Sequence, residues 1–141
     1  FRKINENDLE MIMKWRTNPN VSKYMYTDFQ PNLENQFMWF EKINSDITQK
    51  YWVINVDGED VGIVYLFKID NVSARCEWGY YLGEPSVRGK GIGKSVELNV
   101  LDYVFIIMKL NKLCCEVFLF NELVINIHKK YGSTIEGTRR Q

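Results

Sequence analysis

The sequence predicts a single domain of the α/β (α+β) class, built around a mixed central sheet. Three observations lead to this prediction. Residues 51–82 read as a meander of three antiparallel strands, and Asp57-Gly58 between the first two is a typical hairpin turn. A glycine-rich hexapeptide at 88–93 then joins the last of these strands to a helix with a regular apolar stripe. The run Leu113–Phe120 is apolar almost throughout, as in a central strand buried on both faces.

Two helices are predicted between a first strand, Phe1–Ile4, and the meander. Asn5 or Asn7 can cap the first helix, which we expect to end before Pro19. The second helix follows Pro31. The apolar stripes that repeat at helical spacing are Leu9, Ile12 and Met13 in the first helix, and Leu33, Phe37, Phe40 and Ile43 in the second.

The second half of the chain continues the alternation of strands and helices. The meander strands are predicted at Tyr51–Val56, Val61–Ile69 and Arg75–Leu82. A long helix from about Gly91 to Leu110 carries the stripe Ile92, Val96, Val100, Val104 and Ile107. After the apolar strand, Asn121 is placed to cap a last helix that runs to Tyr131.

Composition narrows the class of partner. The 141 residues, taken as one domain at 1–141, carry 18 basic and 18 acidic side chains and a net charge of zero. This balance predicts neither a nucleic-acid partner nor a membrane surface, and no apolar run approaches the ~20 residues of a membrane span. The three cysteines, Cys76, Cys114 and Cys115, have no metal-site spacing, so we expect reduced thiols in a cytoplasmic protein without a metal.

The hexapeptide at 88–93 carries the clearest functional signal. Its three glycines leave the backbone open and permit positive φ, so several N–H groups can converge on one anion. The helix that follows adds its free amides and the positive end of its dipole. Arg88 and Lys90 add positive charge. The segment has neither the P-loop pattern nor G-x-G-x-x-G, so it predicts a diphosphate cradle of another kind.

The pattern R-x-x-G-x-G resembles the coenzyme A pyrophosphate motif of the GNAT N-acetyltransferases. The predicted order of elements also resembles their acyl-CoA N-acyltransferase fold over the whole chain. In that family the strand before the loop splays away from the next strand, and pantetheine fills the gap. The resemblance implies acetyl-CoA as cofactor and direct acetyl transfer to a primary amine on a small molecule. The family continues with two more strands, so we expect C-terminal strands to be missing beyond Gln141.

The resemblance also implies which residues meet the coenzyme. The main chain of Tyr80, Tyr81 and Leu82 would lie against pantetheine. Asn121 would meet the coenzyme arm, although a simple capping role would explain it equally well. The backbone that holds the pyrophosphate would come from Arg88, Gly89, Lys90, Gly91, Ile92, Gly93 and Lys94.

Acetyl transfer needs a neutral amine, a donor for the thioester oxygen and a proton for the leaving thiolate. An amide near Tyr81 is the expected oxygen donor. Glu77 shares a strand face with Gly79 and resembles the glutamate of the family's Glu-x-Gly-Tyr stretch. The resemblance implies that Glu77 is a base or binds the amine, and a structural carboxylate is the alternative. His128 lies seven residues after Asn121, where the family places a tyrosine acid. Imidazole can also donate a proton, and a packed structural histidine is the alternative.

The N-terminal segment around Trp15 and Arg16 bears on the acceptor. Together with Tyr24 and Tyr26, it resembles the opening of acetyltransferases that modify a UDP-linked 4-amino-4,6-dideoxy sugar in pseudaminic acid biosynthesis. Arg16 could pair with a UDP phosphate, and the three aromatic residues could stack on uracil or sugar, with core packing as the alternative. Polyamine and ribosomal-protein acetyltransferases have related openings, so both remain alternatives.

Three further alternatives stay open. A polyamine site would need clustered carboxylates, whereas Asp28, Glu34 and Glu41 are interspersed with neutral residues. A covalent route through Cys115 is disfavoured, since the family transfers directly. A non-catalytic coenzyme A sensor could use the same cradle, and a homodimer is left open by the sequence.

Overall fold

The computed structural model describes residues 1–19, 33–84, 91–115 and 128–129. Its strands are β1 (Arg2–Lys3), β2 (Lys50–Val56), β3 (Glu59–Asp70), β4 (Arg75–Leu82) and β5 (Lys112–Cys114). Its helices are α1 (Leu9–Thr17), α2 (Leu33–Ser45) and α3 (Ile92–Asp102). A single 3₁₀ turn, Glu6–Asp8, leads into α1, and a π-helical turn, Tyr103–Ile107, continues α3.

The described strands form one mixed sheet in the order β1-β2-β3-β4-β5. The first four strands are antiparallel to their neighbours, and β5 runs parallel to β4. The parallel ladder extends from the pair Arg75–Lys112 to the pair Glu77–Cys114. Strand β4 then continues through Trp78–Leu82, beyond the last described pair with β5. The predicted α/β (α+β) class and mixed sheet are therefore confirmed.

Turn chemistry fixes both hairpins of the meander. Asp57 and Gly58 have φ values of 52° and 88°, which suit the two-residue turn that matches the twist of the flanking strands. The Gly58 N–H also donates to the side chain of Asn55 at 3.1 Å. In the second turn the Asp70 carboxylate accepts two backbone N–H groups, at 3.0 and 3.1 Å. These turns join β2, β3 and β4 into the antiparallel meander that the sequence predicts.

Strand alternation divides the buried apolar residues between the two sides of the sheet. On the α3 side, Trp78 and Tyr80 of β4 pack with the buried valines of α3. On the opposite side, Tyr81 packs with Ile12 and Trp15 of α1. Burying one such large apolar side chain contributes about 1.5–3 kcal/mol, so both layers stabilise the sheet.

Two predicted stripes differ from the structure. Ile107 was predicted on the buried stripe of one long helix, but it is 68% exposed. The π-helical turn adds a residue to the repeat there, which rotates Ile107 outward and leaves Val104 buried. In α2, Phe40 and Ile43 face the core as predicted, whereas Phe37 is exposed and Gln36 is buried in its place.

Candidate functional site

The start of α3 has an open and positively polarised backbone. Gly91 has a φ of 75°, and no described atom lies within 4 Å of where a Cβ would stand on it. The helix begins at Ile92, and its first turn carries no acidic side chain. Free amides and an open glycine suit a diphosphate, so this segment fits the coenzyme that the sequence predicts. Gly93 and Lys94 lie in the same turn, whereas Arg88, Gly89 and Lys90 lie outside the described residues.

Pantetheine is predicted to lie along the edge of β4 beyond Glu77. One edge of β4 is paired with β3 as far as Leu82. Along the other edge, no strand of the described residues pairs with 78–82. Tyr80 stacks on Trp78 with ring centroids 5.7 Å apart, on the α3 side, and burial, reinforced by the charge of Glu97, raises the pKa of Tyr80 to about 12. Asn121 lies outside the described residues.

Glu77 presents a buried carboxylate to a primary ammonium. It lies opposite Phe67 in the β3–β4 register, on the α1–α2 side of the sheet. Its Oε2 is 3.2 Å from Nζ of Lys68, whose side chain is 70% exposed. Lys68 adopts a φ of 49° where the β3–β4 register shifts, which turns it across the neighbouring strand. The Glu77 carboxylate therefore pairs with an ammonium group that lies at the solvent-exposed end of the contact.

Aromatic rings extend from Glu77 along the same side of the sheet. Tyr51 and Tyr65 stack with centroids 5.2 Å apart, and Trp39 meets Tyr51 edge-on at 5.1 Å. Gly79 is required beneath them, because a Cβ there would stand 2.5 Å from the Tyr65 hydroxyl. Tyr81 continues the row on β4, two residues beyond Gly79.

The positive charge of Arg16 reaches this row of rings. Burial raises the pKa of Tyr81 and Tyr51, and the Arg16 guanidinium partly offsets the rise in both. Burial, together with neighbouring Tyr51, also raises the pKa of Tyr65 to about 12, and again Arg16 opposes the shift. The charge of Arg16 thus lowers the pKa of all three tyrosines against the larger effect of burial. Because their phenols stay neutral at physiological pH, the face combines neutral aromatic rings with a cation.

Trp15 lies in the core instead of presenting its ring at an open surface. It is 4% exposed, and its Nε1 donates to Oε1 of Glu84 at 2.8 Å. Its ring covers Gly83, where any Cβ would collide with the indole. Trp15 thus fastens α1 to the end of β4, which is the packing alternative considered for it. Tyr24 and Tyr26 lie outside the described residues.

His128 is buried on the α3 side, where it contacts a carboxylate that the sequence analysis missed. Its Nδ1 lies 2.7 Å from Oε1 of Glu97, and the two residues are 7% and 1% exposed. Its ring also meets Trp78 edge-on, with centroids 5.2 Å apart. Glu97 could have been found from helical spacing, since Gly93, Glu97 and the buried Val100 share one face of α3. A carboxylate inside an apolar stripe signals a buried partner.

The cysteines are free thiols. Burial raises the pKa of Cys76 and of Cys115 to about 11 in each case. Neither is a thiolate near neutral pH, which disfavours Cys115 as a nucleophile. No three His, Cys, Asp or Glu side chains of the described residues are grouped so that they could hold a metal ion. No helix among those residues is long and apolar enough to cross a membrane.

Comparison with known families identifies the class of protein. The family described as "Acetyltransferase (GNAT) domain" matches this chain over residues 1–134. The chain therefore belongs to the GNAT acetyltransferase family. It is an acetyl-CoA-dependent N-acetyltransferase, which confirms the class of enzyme and the cofactor predicted from R-x-x-G-x-G.

Individual relatives fall into two groups by acceptor. Acetyltransferase PseH of Campylobacter jejuni subsp. jejuni serotype O:23/36 (strain 81-176) is 28% identical over 138 residues, which is 96% of this chain and 82% of that protein. Spermidine N(1)-acetyltransferase of Escherichia coli (strain K12) is also 28% identical over 137 residues, which is 97% of this chain and 73% of that protein. Identity alone does not choose between these two groups.

Solved structures confirm the fold. The spermidine N-acetyltransferase of Vibrio cholerae, solved in complex with CoA and spermine, superposes with a TM-score of 0.87 at 23% identity. The match covers 96% of this chain and 80% of that one. A domain from Methanocaldococcus jannaschii DSM 2661 matches with a TM-score of 0.77 at 26% identity, over 93% of this chain and 84% of that one. The sheet and helices described above are therefore a GNAT fold.

Proposed function

We propose that the acceptor is a UDP-linked 4-amino-4,6-dideoxy sugar. One observation carries this proposal, namely a row of packed neutral rings, Tyr51, Tyr65 and Tyr81, on which the positive charge of Arg16 acts. A cation next to aromatic rings suits a ligand that joins phosphates to a uracil and a sugar, because guanidinium pairs with phosphate in bidentate fashion and rings stack on bases. The same cation repels a polyamine that carries several positive charges.

The coenzyme would be held by the loop and the start of α3. Gly91, Ile92, Gly93 and Lys94 would give backbone amides to the pyrophosphate, together with the predicted residues Arg88–Lys90. Tyr80, Tyr81 and Leu82 would line pantetheine with their main chain, with Asn121 at the coenzyme arm. Acetyl-CoA supplies an activated acetyl group and a thiolate leaving group.

Protons would be handled on two sides of the sheet. Glu77 would hold the amine of the acceptor or take its proton, as its contact with the Lys68 ammonium indicates. An amide near Tyr81 would donate to the carbonyl oxygen as negative charge develops there. His128 would give a proton to the departing sulfur in place of the family's tyrosine. These residue roles are proposals that the kinetic variants below test.

Spermidine is the second candidate acceptor, and a specific observation favours it. The Escherichia coli spermidine acetyltransferase is as similar to this chain as PseH is. Glu34 and Glu41 of α2 are both exposed, and Glu77 already pairs with one primary ammonium. Against this candidate stands Arg16, which places a positive charge on the side of the sheet where Glu77 lies.

The acceptor is decided by specificity constants. Purified protein and acetyl-CoA are incubated with the UDP-linked 4-amino sugar, with spermidine, and with a peptide that has a free N-terminus. Products are identified by mass spectrometry, and kcat/KM is measured for each amine. We expect the nucleotide sugar to exceed the others by at least ~100-fold, which corresponds to about 2.7 kcal/mol. Faster acetylation of spermidine or of the peptide would overturn the sugar proposal.

A further inference from the structure

We propose that Glu97 is a positioning residue that fixes and charges the His128 imidazole for proton donation. The inference rests on the proposed function, since it concerns the proton that His128 gives to the leaving sulfur. Nothing in the family motif assigns a role to Glu97. Glu97 lies on α3, five residues after the helix begins at Ile92. Its carboxylate contacts His128, which comes 31 residues later in the chain.

The hydrogen bond determines which nitrogen of the ring can act. Nδ1 of His128 lies 2.7 Å from Oε1 of Glu97, a distance typical of a charge-assisted bond. In this proposal the Glu97 carboxylate is ionised and only accepts, so Nδ1 carries the hydrogen and donates it. The proton that the imidazolium can pass on is then the one on Nε2. The Nε2–H bond breaks as the sulfur gains its proton, and the ring is left neutral with Nδ1–H still bonded to Glu97.

The proton balance closes without any further reactant. The acceptor nitrogen loses a proton when it forms the amide, and the thiolate takes one up. The neutral ring regains its Nε2 proton from that released by the amine, through solvent or Glu77. An imidazolium in a buried site is costly unless an opposite charge lies beside it. Glu97 is the acidic side chain that contacts the ring, at 2.7 Å, so the orientation of the ring depends on it.

Two observations describe the surroundings of the Glu97 carboxylate. Glu97 is 1% exposed, and within the described part of the chain its Oε1 is bonded to His128 while its Oε2 has no hydrogen-bond partner. The charge of Glu97 also reaches its neighbours, because after burial it is a cause of the raised pKa of Tyr80, about 12, and of Cys115, about 11.

The other titratable groups on this side of the sheet do not compete with His128. Burial raises the pKa of Cys76 to about 11, so Cys76, Cys115 and Tyr80 remain neutral through pH 9. Lys129 follows His128 but is exposed.

The state of the ring can be measured without turnover. His128 is the one histidine of the chain, so its imidazole nitrogens give an unambiguous signal in long-range ¹⁵N–¹H NMR spectra of the coenzyme-free protein. We expect the neutral ring of the wild-type protein to carry its hydrogen on Nδ1, opposite to the Nε2–H form that free histidine prefers. A wild-type ring in the Nε2–H form overturns the inference, and this test needs no variant to fold.

Measurements of kcat in single and double variants test whether Glu97 acts through His128. The Glu97→Gln substitution keeps the volume and one acceptor oxygen but removes the charge. By analogy with the outer partners that orient metal-bound histidines, we expect kcat to fall ~10- to 100-fold with the coenzyme Kd unchanged. In a His128→Ala background the same substitution should change kcat less than ~2-fold, because the group it serves is gone. Asp8→Asn, which neutralises a buried carboxylate remote from His128, is the matched control and should leave kcat unchanged.

The outcomes are distinguishable. Equal losses from Glu97→Gln in both backgrounds, or none in the wild type, would overturn the inference and leave Glu97 a packing partner. Failure of the wild-type protein to acetylate any amine would overturn the proposed function, and the inference with it. The NMR measurement separates the two failures, because it reports the state of the His128 ring whether or not the protein acetylates an amine.

Discussion

Glu77 and His128 lie on opposite sides of the central sheet. Glu77 precedes Trp78 on β4, so their side chains point to opposite faces, and it is Trp78 that contacts the His128 ring. The described ladder with β5 ends at Glu77. A thioester seated beside β4 beyond that point would meet a carboxylate on one side and an imidazole on the other. The geometry thus places the two residues that we propose to handle protons, Glu77 and His128, on opposite faces of β4.

Coenzyme binding is predicted to depend on Gly91. Gly91→Val places a branched side chain in the open space beside the amides of α3, so we expect the Kd for acetyl-CoA to rise by well over ~10-fold, or about 1.4 kcal/mol. Isothermal titration calorimetry on the folded variant measures this directly.

Gly58→Val is the matched control. Gly58 has a φ of 88° and equally open surroundings among the described residues, but it lies in the hairpin turn between β2 and β3. Both variants carry the strain of a branched residue at positive φ and should lower Tm to a similar extent. Equal coenzyme affinity in the two variants would remove the start of α3 from the coenzyme site.

Arg16 is predicted to act on the acceptor alone. Arg16→Ala should raise the acceptor KM by ~10-fold or more while the coenzyme Kd stays unchanged, because a phosphate contact is lost. Lys14→Ala, which removes an exposed cation from the same helix, serves as control. If both variants raise KM alike, the effect comes from general charge, and the specific role of Arg16 is wrong.

His128 is predicted to contribute to kcat. A positioned acid typically supplies ~10²–10⁴-fold, so His128→Ala should lower kcat by that range with little change in coenzyme Kd. His128→Tyr should restore part of the rate, since it returns the donor that the family uses. Near-wild-type kcat in well-folded His128→Ala, with chemistry shown to limit the rate, would assign the proton to water or to Glu77.

We predict that the folded state is less stable in acid, because protonation of Asp8 removes its charge. The Arg2 guanidinium, bonded to both oxygens at 2.7 and 2.8 Å, holds the pKa of Asp8 below its usual value. A carboxyl whose pKa is lower in the folded state stabilises that state above its unfolded pKa of ~3.9, and this contribution disappears as pH falls through the folded value.

We therefore expect Asp8→Asn to lower the free energy of unfolding by ~2 kcal/mol at pH 7, because hydrogen bonds to a charged partner are lost. The difference from wild type should shrink below pH 4. Urea unfolding at pH 7 and pH 3 measures it, with Glu10→Gln, an exposed carboxylate on α1, as control. A difference that is the same at both pH values would show that the charge of Asp8 is not the cause.

Turn chemistry and strand alternation made much of the fold predictable. Arg75–Leu82 was predicted at the bounds it has, because Asp70 and the residues after it close one hairpin and the apolar alternation defines the strand. The end of α3 could not be predicted from a 3.6-residue repeat, since the π-helical turn Tyr103–Ile107 inserts one residue. The predicted strand up to Phe120 and most of the last helix lie outside the described residues.

Residues of the candidate site could be predicted from the sequence where they form a local motif, but not where their role depends on a tertiary contact. The glycines at 88–93 predicted a phosphate loop because backbone openness is visible in sequence, and the open positive-φ backbone is found at Gly91, the start of the described part of that loop. Helical spacing indicates that Glu97 has a buried partner, but no local pattern identifies that partner as His128, because the two residues are 31 positions apart. Trp15 was considered for stacking on ligand, but the hydrogen bond to Glu84 that buries it depends on how α1 meets the end of β4.

The most direct test of the account measures the coenzyme A thiol released from acetyl-CoA by the purified wild-type protein, with and without the UDP-linked 4-amino sugar. Mass spectrometry of the same reaction counts the acetylated amine. The account predicts release that depends on the amine, with one thiol freed for each acetyl group transferred. Tight binding of acetyl-CoA with no amine-dependent thiol release, across sugar, polyamine and peptide acceptors alike, would contradict it and indicate a coenzyme A sensor.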